Sequence, residues 1–178
     1  MDKIDIYKNR KRDDPVKVKD ILKCIISGFI CACIILTILR VSIVSGPSME
    51  NTLHDGQRLI VSKIVYLIKS PEKGDIVIAK TKKLNVEYII KRVIGTPGDT
   101  IELKNNEFYV NGEKIDEPYI KEKMINTENQ KWILGEDEYF ICGDNRNNST
   151  DSRIIGPLNK SEIYGKVVFD ISHFKFIK

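Results

Sequence analysis

Tyr88-Ile89-Ile90-Lys91-Arg92-Val93-Ile94-Gly95 is the stretch whose reading decides the fold. Its β-branched residues, closed by a glycine, predict a buried strand. Strand alternation places Lys91 on the face of Ile89 and Val93, with Arg92 and Ile90 on the other. A lysine there is taken out of water, and burial without an anion disfavours its charged form. Lys80, Lys82 and Lys83, by contrast, sit in charge-rich turns and stay solvated. Pattern alone serves equally well for a lysine that marks an edge strand.

Outward from this strand the chain reads as many short strands. Arg58–Ser62, Asp75–Ala79, Thr100–Leu103, Glu107–Val110, Trp132–Leu134, Tyr139–Cys142 and Ile163–Ile171 are apolar runs bounded by Gly, Pro, Asn or Asp. Lys104-Asn105-Asn106 and Asn111-Gly112 predict hairpin turns. No amphipathic helix of ten or more residues follows residue 44, and residues 116 to 130 read as a long connecting loop. The expected fold class is mainly β, a folded antiparallel sheet or barrel-like domain.

Before that domain lies the chain's longest apolar run. Cys24 to Leu39 carries no charge, and the run continues through Arg40 to Val44. We read residues 1–20 as a basic leader, 21–44 as a single transmembrane helix whose ends Lys23 and Arg40 reach by snorkelling, and 45–178 as the outer domain. A core helix would show a polar face, which this run lacks. A cleaved secretory signal has a shorter leader and a shorter apolar centre. Residues 1–23 hold eight Lys/Arg against five Asp, a net of +3 in a chain of +4. The positive-inside rule then puts the N-terminus in the cytoplasm and the β-domain outside the cell membrane. An outer domain of about +1 argues against nucleic acid as a partner.

Three of the four cysteines (Cys24, Cys31, Cys33) fall in the apolar run, leaving Cys142 alone in the β-domain. One thiol forms no internal disulfide and no cysteine-based metal site. Cys142 reads as a buried strand residue. No cofactor or metal is expected.

Two further segments carry possible chemistry. Ser45-Gly46-Pro47-Ser48-Met49 offers a serine just after the apolar run, and a serine nucleophile needs a base within reach. His54 and His173 are the two histidines; a Ser/His/Asp arrangement through either is the weaker alternative to Lys91. Gly143-Asp144-Asn145-Arg146-Asn147-Asn148-Ser149-Thr150-Asp151-Ser152-Arg153 is a dense polar loop directly after an apolar strand. By composition alone it reads as solvated.

Together and in this order behind an N-terminal anchor, these segments resemble bacterial type I signal peptidase, in its compact Gram-positive form. Ser45–Met49, Gly74-Asp75-Ile76-Val77, Lys91–Gly95 through Pro97-Gly98-Asp99, and Gly143–Arg153 carry the resemblance, which runs from the anchor to about residue 169. It implies that Ser48 is the nucleophile and neutral Lys91 the general base. It further implies that Ser149 hydrogen-bonds and orients the lysine, while Asp151, Arg153 and Arg146 hold the loop. The Ser48 N–H would be one oxyanion donor, and Met49, Val44 and Ile90 would line shallow pockets for small substrate residues. The implied partners are signal peptides of exported precursors, bound as an added strand, and membrane lipid; the expected state is a monomer.

The chain departs from the family pattern in three places. Asn51 stands where proline is common, Asn147 where aspartate is common, and Gly46 where some members place a serine that serves the oxyanion hole. Two other readings compete. A membrane-tethered β-domain that binds peptides without cutting them is disfavoured by the presence of Ser48, Lys91 and Ser149 together. A self-cleaving repressor would need an N-terminal DNA-binding domain, for which residues 1 to 20 are too few.

Overall fold

The structure, a computed structural model, describes residues 17–84 and 87–177. They form two compact units, one ending at Thr37 and one beginning at Ile38. Most of the leader lies outside the described residues.

Helix α1 spans Val18–Ile38, with Asp20 in its first turn, where a carboxylate favours the helix dipole. Among the described residues no helix is long and apolar enough to cross a membrane. The charge-free part of α1, from Cys24 to Ile38, is roughly 22 Å long at 1.5 Å per residue, against a hydrocarbon core of about 30 Å. The helix expected to Val44 thus ends early: Leu39–Ile43 is a strand, β1. The reason is tertiary, since β1 pairs antiparallel with the strand Arg58–Ser62, β2, from Leu39↔Ser62 to Ile43↔Arg58.

The remaining elements in chain order are α2 (Val65–Ile68), β3 (Ile76–Lys80), β4 (Tyr88–Gly95), β5 (Thr100–Lys104), β6 (Glu107–Val110), β7 (Glu113–Lys114), β8 (Gln130–Ile133) and β9 (Glu138–Cys142). They continue with α3 (Ser152–Ile155), β10 (Leu158–Asn159), β11 (Ile163–Asp170) and β12 (Lys175–Phe176). The mainly β, antiparallel fold agrees with the sequence reading. Asn105 and Asn106 both take positive φ (52° and 63°), the geometry of a two-residue hairpin turn between β5 and β6.

One sheet of eight strands has the order β1-β2-β11-β3-β4-β9-β10, with β12 added beside β11; a second has the order β7-β6-β5-β8. The large sheet is apolar on both faces. In β3, Ile76 and Ile78 pack with Val44, Met49, Leu53, Leu59 and Val167, while Val77 and Ala79 pack with Ile89, Val93 and Ile141. Each such buried Val, Leu or Ile contributes roughly 1.5–3 kcal/mol. A third cluster, with Ile94, Phe140 and Cys142, joins the end of the large sheet to Ile101, Leu103 and Phe108 of the small one.

One pairing detail positions the site. β4 pairs with β3 from Tyr88 to Arg92, but with β9 only from Arg92 to Gly95. On the β9 side, residues 88 to 91 therefore have no ladder partner among the described residues.

Candidate active site

That open edge of β4 and the segment after β1 face each other across a groove of about 370 Å³. Ser42, Val44, Ser48 and Met49 line one side, Tyr88, Ile90 and Lys91 the other, and Ser149 and Thr150 its end. The turn that carries Ser48 is anchored from below. Val44 and Met49 are buried in the core, the Gly46 N–H donates to Asp55 Oδ1 at 2.7 Å, and Gly46 takes φ 85°, a value suited to glycine.

Lys91 Nζ lies 2.8 Å from Ser48 Oγ and donates to the Ile90 carbonyl at 2.9 Å. Its side chain reaches the groove from a strand whose neighbouring residues on that face, Ile89 and Val93, are core. Lys91 is only 3% exposed. Burial pulls the lysine below its ordinary pKa; Asp151 and Asp144 act in the opposite sense without cancelling that effect. Neither histidine is bonded to Ser48: His173 is held by Asp170 at 2.8 Å and by Gln57 at 3.2 Å.

The polar loop is buried at both ends, Gly143 to Arg146 and Asp151 to Ser152, with Asn147, Asn148 and Thr150 exposed between them. Arg153 grips Asp151 with two bonds of 2.8 Å and donates to the Arg146 carbonyl. Burial opposes ionisation of Asp151, but the Arg153 guanidinium and the Gly143 N–H hold its carboxyl below the usual range. Arg146 has a fully buried side chain, donates to the Gly143 carbonyl at 2.9 Å and forms a bidentate pair with Glu117 at 2.5 and 3.2 Å. Arg92 forms a second buried bidentate pair with Asp144 at 2.9 and 2.7 Å. The loop is then tied to the serine turn, because Asn145 donates its N–H to the Ser48 carbonyl and its Nδ2 to the Pro47 carbonyl, both at 3.1 Å.

Ser149 departs from expectation. Its hydroxyl is buried, and the bond to Lys91 implied by the resemblance is not made. Lys91 Nζ lies instead within hydrogen-bond distance of Ser48 Oγ and the Ile90 carbonyl, and Ser149 rests against Gly143. Met49, Val44 and Ile90 do line the groove, the first two as buried residues. Cys142 is buried in β9, with burial raising its thiol pKa.

A family model described as "Signal peptidase, peptidase S26" matches residues 18–172. The chain belongs to the signal peptidase family. It is 36% identical over 172 residues to a signal peptidase I of Bacillus amyloliquefaciens, covering 90% of this chain and 91% of that one. It is 38% identical to a signal peptidase I of Bacillus licheniformis (88% and 90% covered) and 37% identical to signal peptidase IB of Staphylococcus aureus strain MRSA252 (89% and 94%). A solved signal peptidase I from Enterococcus faecalis V583 is similar over 57% of this chain and 99% of its own, at 28% identity and a TM-score of 0.49. As a signal peptidase, the chain is a serine endopeptidase.

Three site features escaped the sequence reading. Glu117, placed in a connecting loop, is the carboxylate that neutralises Arg146, 29 residues away, and no local pattern links them. Thr52 donates to Asp144 at 2.6 Å and so ties the serine turn to the Arg92 pair. Gly143 has no room for a side chain between Ser48 and Ser149. A glycine directly after a strand and before a charged loop was the one available signal.

Proposed function

We propose that this signal peptidase removes N-terminal signal peptides from exported precursors, with Ser48 as nucleophile and uncharged Lys91 as general base. The observation that carries the reading is the 2.8 Å contact between Lys91 Nζ and Ser48 Oγ, at a lysine whose pKa burial lowers. The substrate enters as an extended strand beside the open edge of β4, with its small residues against Val44, Met49 and Ile90. The Ser48 O–H proton passes to the Lys91 amine as Oγ bonds the scissile carbonyl carbon. The Ser48 N–H stabilises the oxyanion. Lys91 returns the proton to the departing amine, leaving an ester on Ser48. Water then attacks the ester, giving its proton to Lys91, which passes it to Ser48 Oγ as the carboxylate leaves.

Around this pair, Asp151, Arg153 and Arg146 fix the loop that carries Ser149 to the end of the groove. The apolar run and the basic leader support a single-pass anchor with the N-terminus in the cytoplasm and the β-domain outside. Protease protection of the leader in sealed cells tests that orientation; digestion of the leader and survival of the β-domain would overturn it.

The catalytic reading is tested by incubating an exported precursor with the full chain and with Ser48→Ala and Lys91→Met, mapping the new N-terminus by mass spectrometry. Loss of cleavage in both variants is expected. Full activity in either removes the pair from the mechanism, and failure of a serine-directed acylating inhibitor to label Ser48 would favour peptide binding without cleavage.

A further inference from the structure

The groove does not end at Tyr88. At its end remote from Ser48 lies a second, largely apolar space of about 210 Å³. Five strands of the large sheet wall it: Arg40, Val41 and Ser42 from β1, Val61 from β2, Ile78 from β3, Tyr88 from β4 and Tyr164 from β11. Ser42, Ile78 and Tyr88 line this space and the catalytic groove alike, so the two are continuous.

Its chemistry is specific. Tyr88 and Tyr164 meet edge to face, with centroids 5.3 Å apart and planes at 69°. Two nearby lysines sit over those rings, Lys63 Nζ 4.4 Å from the Tyr164 centroid and Lys80 Nζ 5.7 Å from that of Tyr88, and Arg40 stands in the wall as the remaining cation. The space is smaller than the roughly 300–1,000 Å³ of small-molecule sites, and suits one bulky apolar side chain.

Register along β4 says which one. Tyr88 lies three residues from Lys91, roughly 10 Å at about 3.3 Å per residue. A peptide extended beside this edge therefore spends about three residues between the dyad and Tyr88. Alternate residues share a face, so the first and third residues before the cut point into the catalytic groove, and the fifth points into the space beyond Tyr88. We infer that the Tyr88–Tyr164 compartment receives a Leu or Phe side chain from the fifth residue on the N-terminal side of the cut bond. It thereby holds the end of the substrate's apolar segment. This rests on the proposed peptidase reading and deepens it.

The test uses the full chain in detergent with precursor peptides that differ only at the fifth residue before the cut: Leu, Phe, Ala or Asp. For the unaltered enzyme, kcat/KM for Leu and Phe should exceed that for Ala by about tenfold, the usual worth of a few buried methylenes. Tyr164→Ala should reduce that ratio to about twofold or less, while Tyr164→Phe keeps it. A ratio near one in the unaltered enzyme, or a ratio unmoved by Tyr164→Ala, overturns the assignment. So does a preference that appears at the third residue and not the fifth. Affinities of the same peptides for Ser48→Ala, read by fluorescence anisotropy, report the compartment even where cleavage fails. A Leu-over-Ala affinity ratio without cleavage sinks the peptidase reading alone, and equal affinities sink the compartment.

Discussion

Gly143 lies directly against Ser48: a methyl group placed on Gly143 would run into the Ser48 carbonyl oxygen and the Ser149 hydroxyl. The Gly143 N–H is also held by Asp151 at 3.0 Å, so the strand end cannot yield without moving the buried loop. The serine turn is the softer side. Gly143→Ala should therefore displace Ser48 and lower kcat by about 10²-fold, with KM changed much less, because misplacement of the order of 1 Å has that effect. Steady-state kinetics on a precursor peptide check this; kcat within threefold of the unaltered enzyme would show that the turn absorbs the methyl.

Burial lowers the Lys91 pKa, and activity should follow that proton. The rising limb of kcat/KM with pH should have its midpoint below the value of about 10.4 for a free lysine. Stability has the same origin. The folded chain holds this proton less tightly than the unfolded chain, so the penalty is complete below the folded pKa and fades as pH rises toward the unfolded one. Melting curves between pH 7 and 10 should show a Tm that rises more steeply for the unaltered chain than for Lys91→Met. Parallel slopes would mean that the buried lysine is not the source.

The Arg146–Glu117 pair is withdrawn from water on both sides, with side chains 0% and 8% exposed. Glu117→Ala leaves the guanidinium without its carboxylate, and breaking such a pair costs about 3–5 kcal/mol. Denaturant unfolding should register that loss. Glu117→Ala together with Arg146→Met should recover part of it, since no uncompensated charge is left.

At two of the three family departures, Asn51 and Asn147, the side chains are adapted to this backbone. Asn51 takes φ 82°, which a proline ring forbids, so Asn51→Pro should lower Tm and slow cleavage rather than restore a family feature. Asn147 uses both ends of its amide, accepting from the Ile125 N–H at 3.1 Å and donating to the Lys123 carbonyl at 3.0 Å. Asn147→Asp sets a carboxylate oxygen against that carbonyl and should cost about 1 kcal/mol at this exposed site. A Tm equal to that of the unaltered chain would show that the 123–125 segment readjusts freely.

Much of the fold was legible in the residues themselves. Strands β2, β3, β4, β6 and β9 follow from β-branched and aromatic runs between turn residues, and the Asn105-Asn106 turn from the tolerance of asparagine for positive φ. The face that Lys91 shares with Ile89 and Val93 was legible too, because strand alternation is a local property, but its burial was not, since the pattern served an edge strand equally well. β1 was not. Leu39–Ile43 continues an apolar helical run, and only its pairing with Arg58–Ser62 makes it a strand. β10 and β12, two residues each, likewise exist through their partners β9 and β11.

By itself the sequence determined that this is a mainly β chain with an apolar N-terminal run, carrying a serine in a glycine-proline turn and a lysine inside an apolar strand. Composition and spacing are local, and local propensity suffices for them. Only the tertiary structure decided that Lys91 Nζ meets Ser48 Oγ, 43 residues away in the chain, and that Asp144, Asn145, Arg146 and Asp151 of a loop with the composition of a solvated turn are buried. It also decided that Arg146 is neutralised by Glu117. These contacts depend on where distant strands fall in one sheet. The balance of desolvation and charge that sets the Lys91 proton is a property of that enclosure, and of no stretch of chain alone.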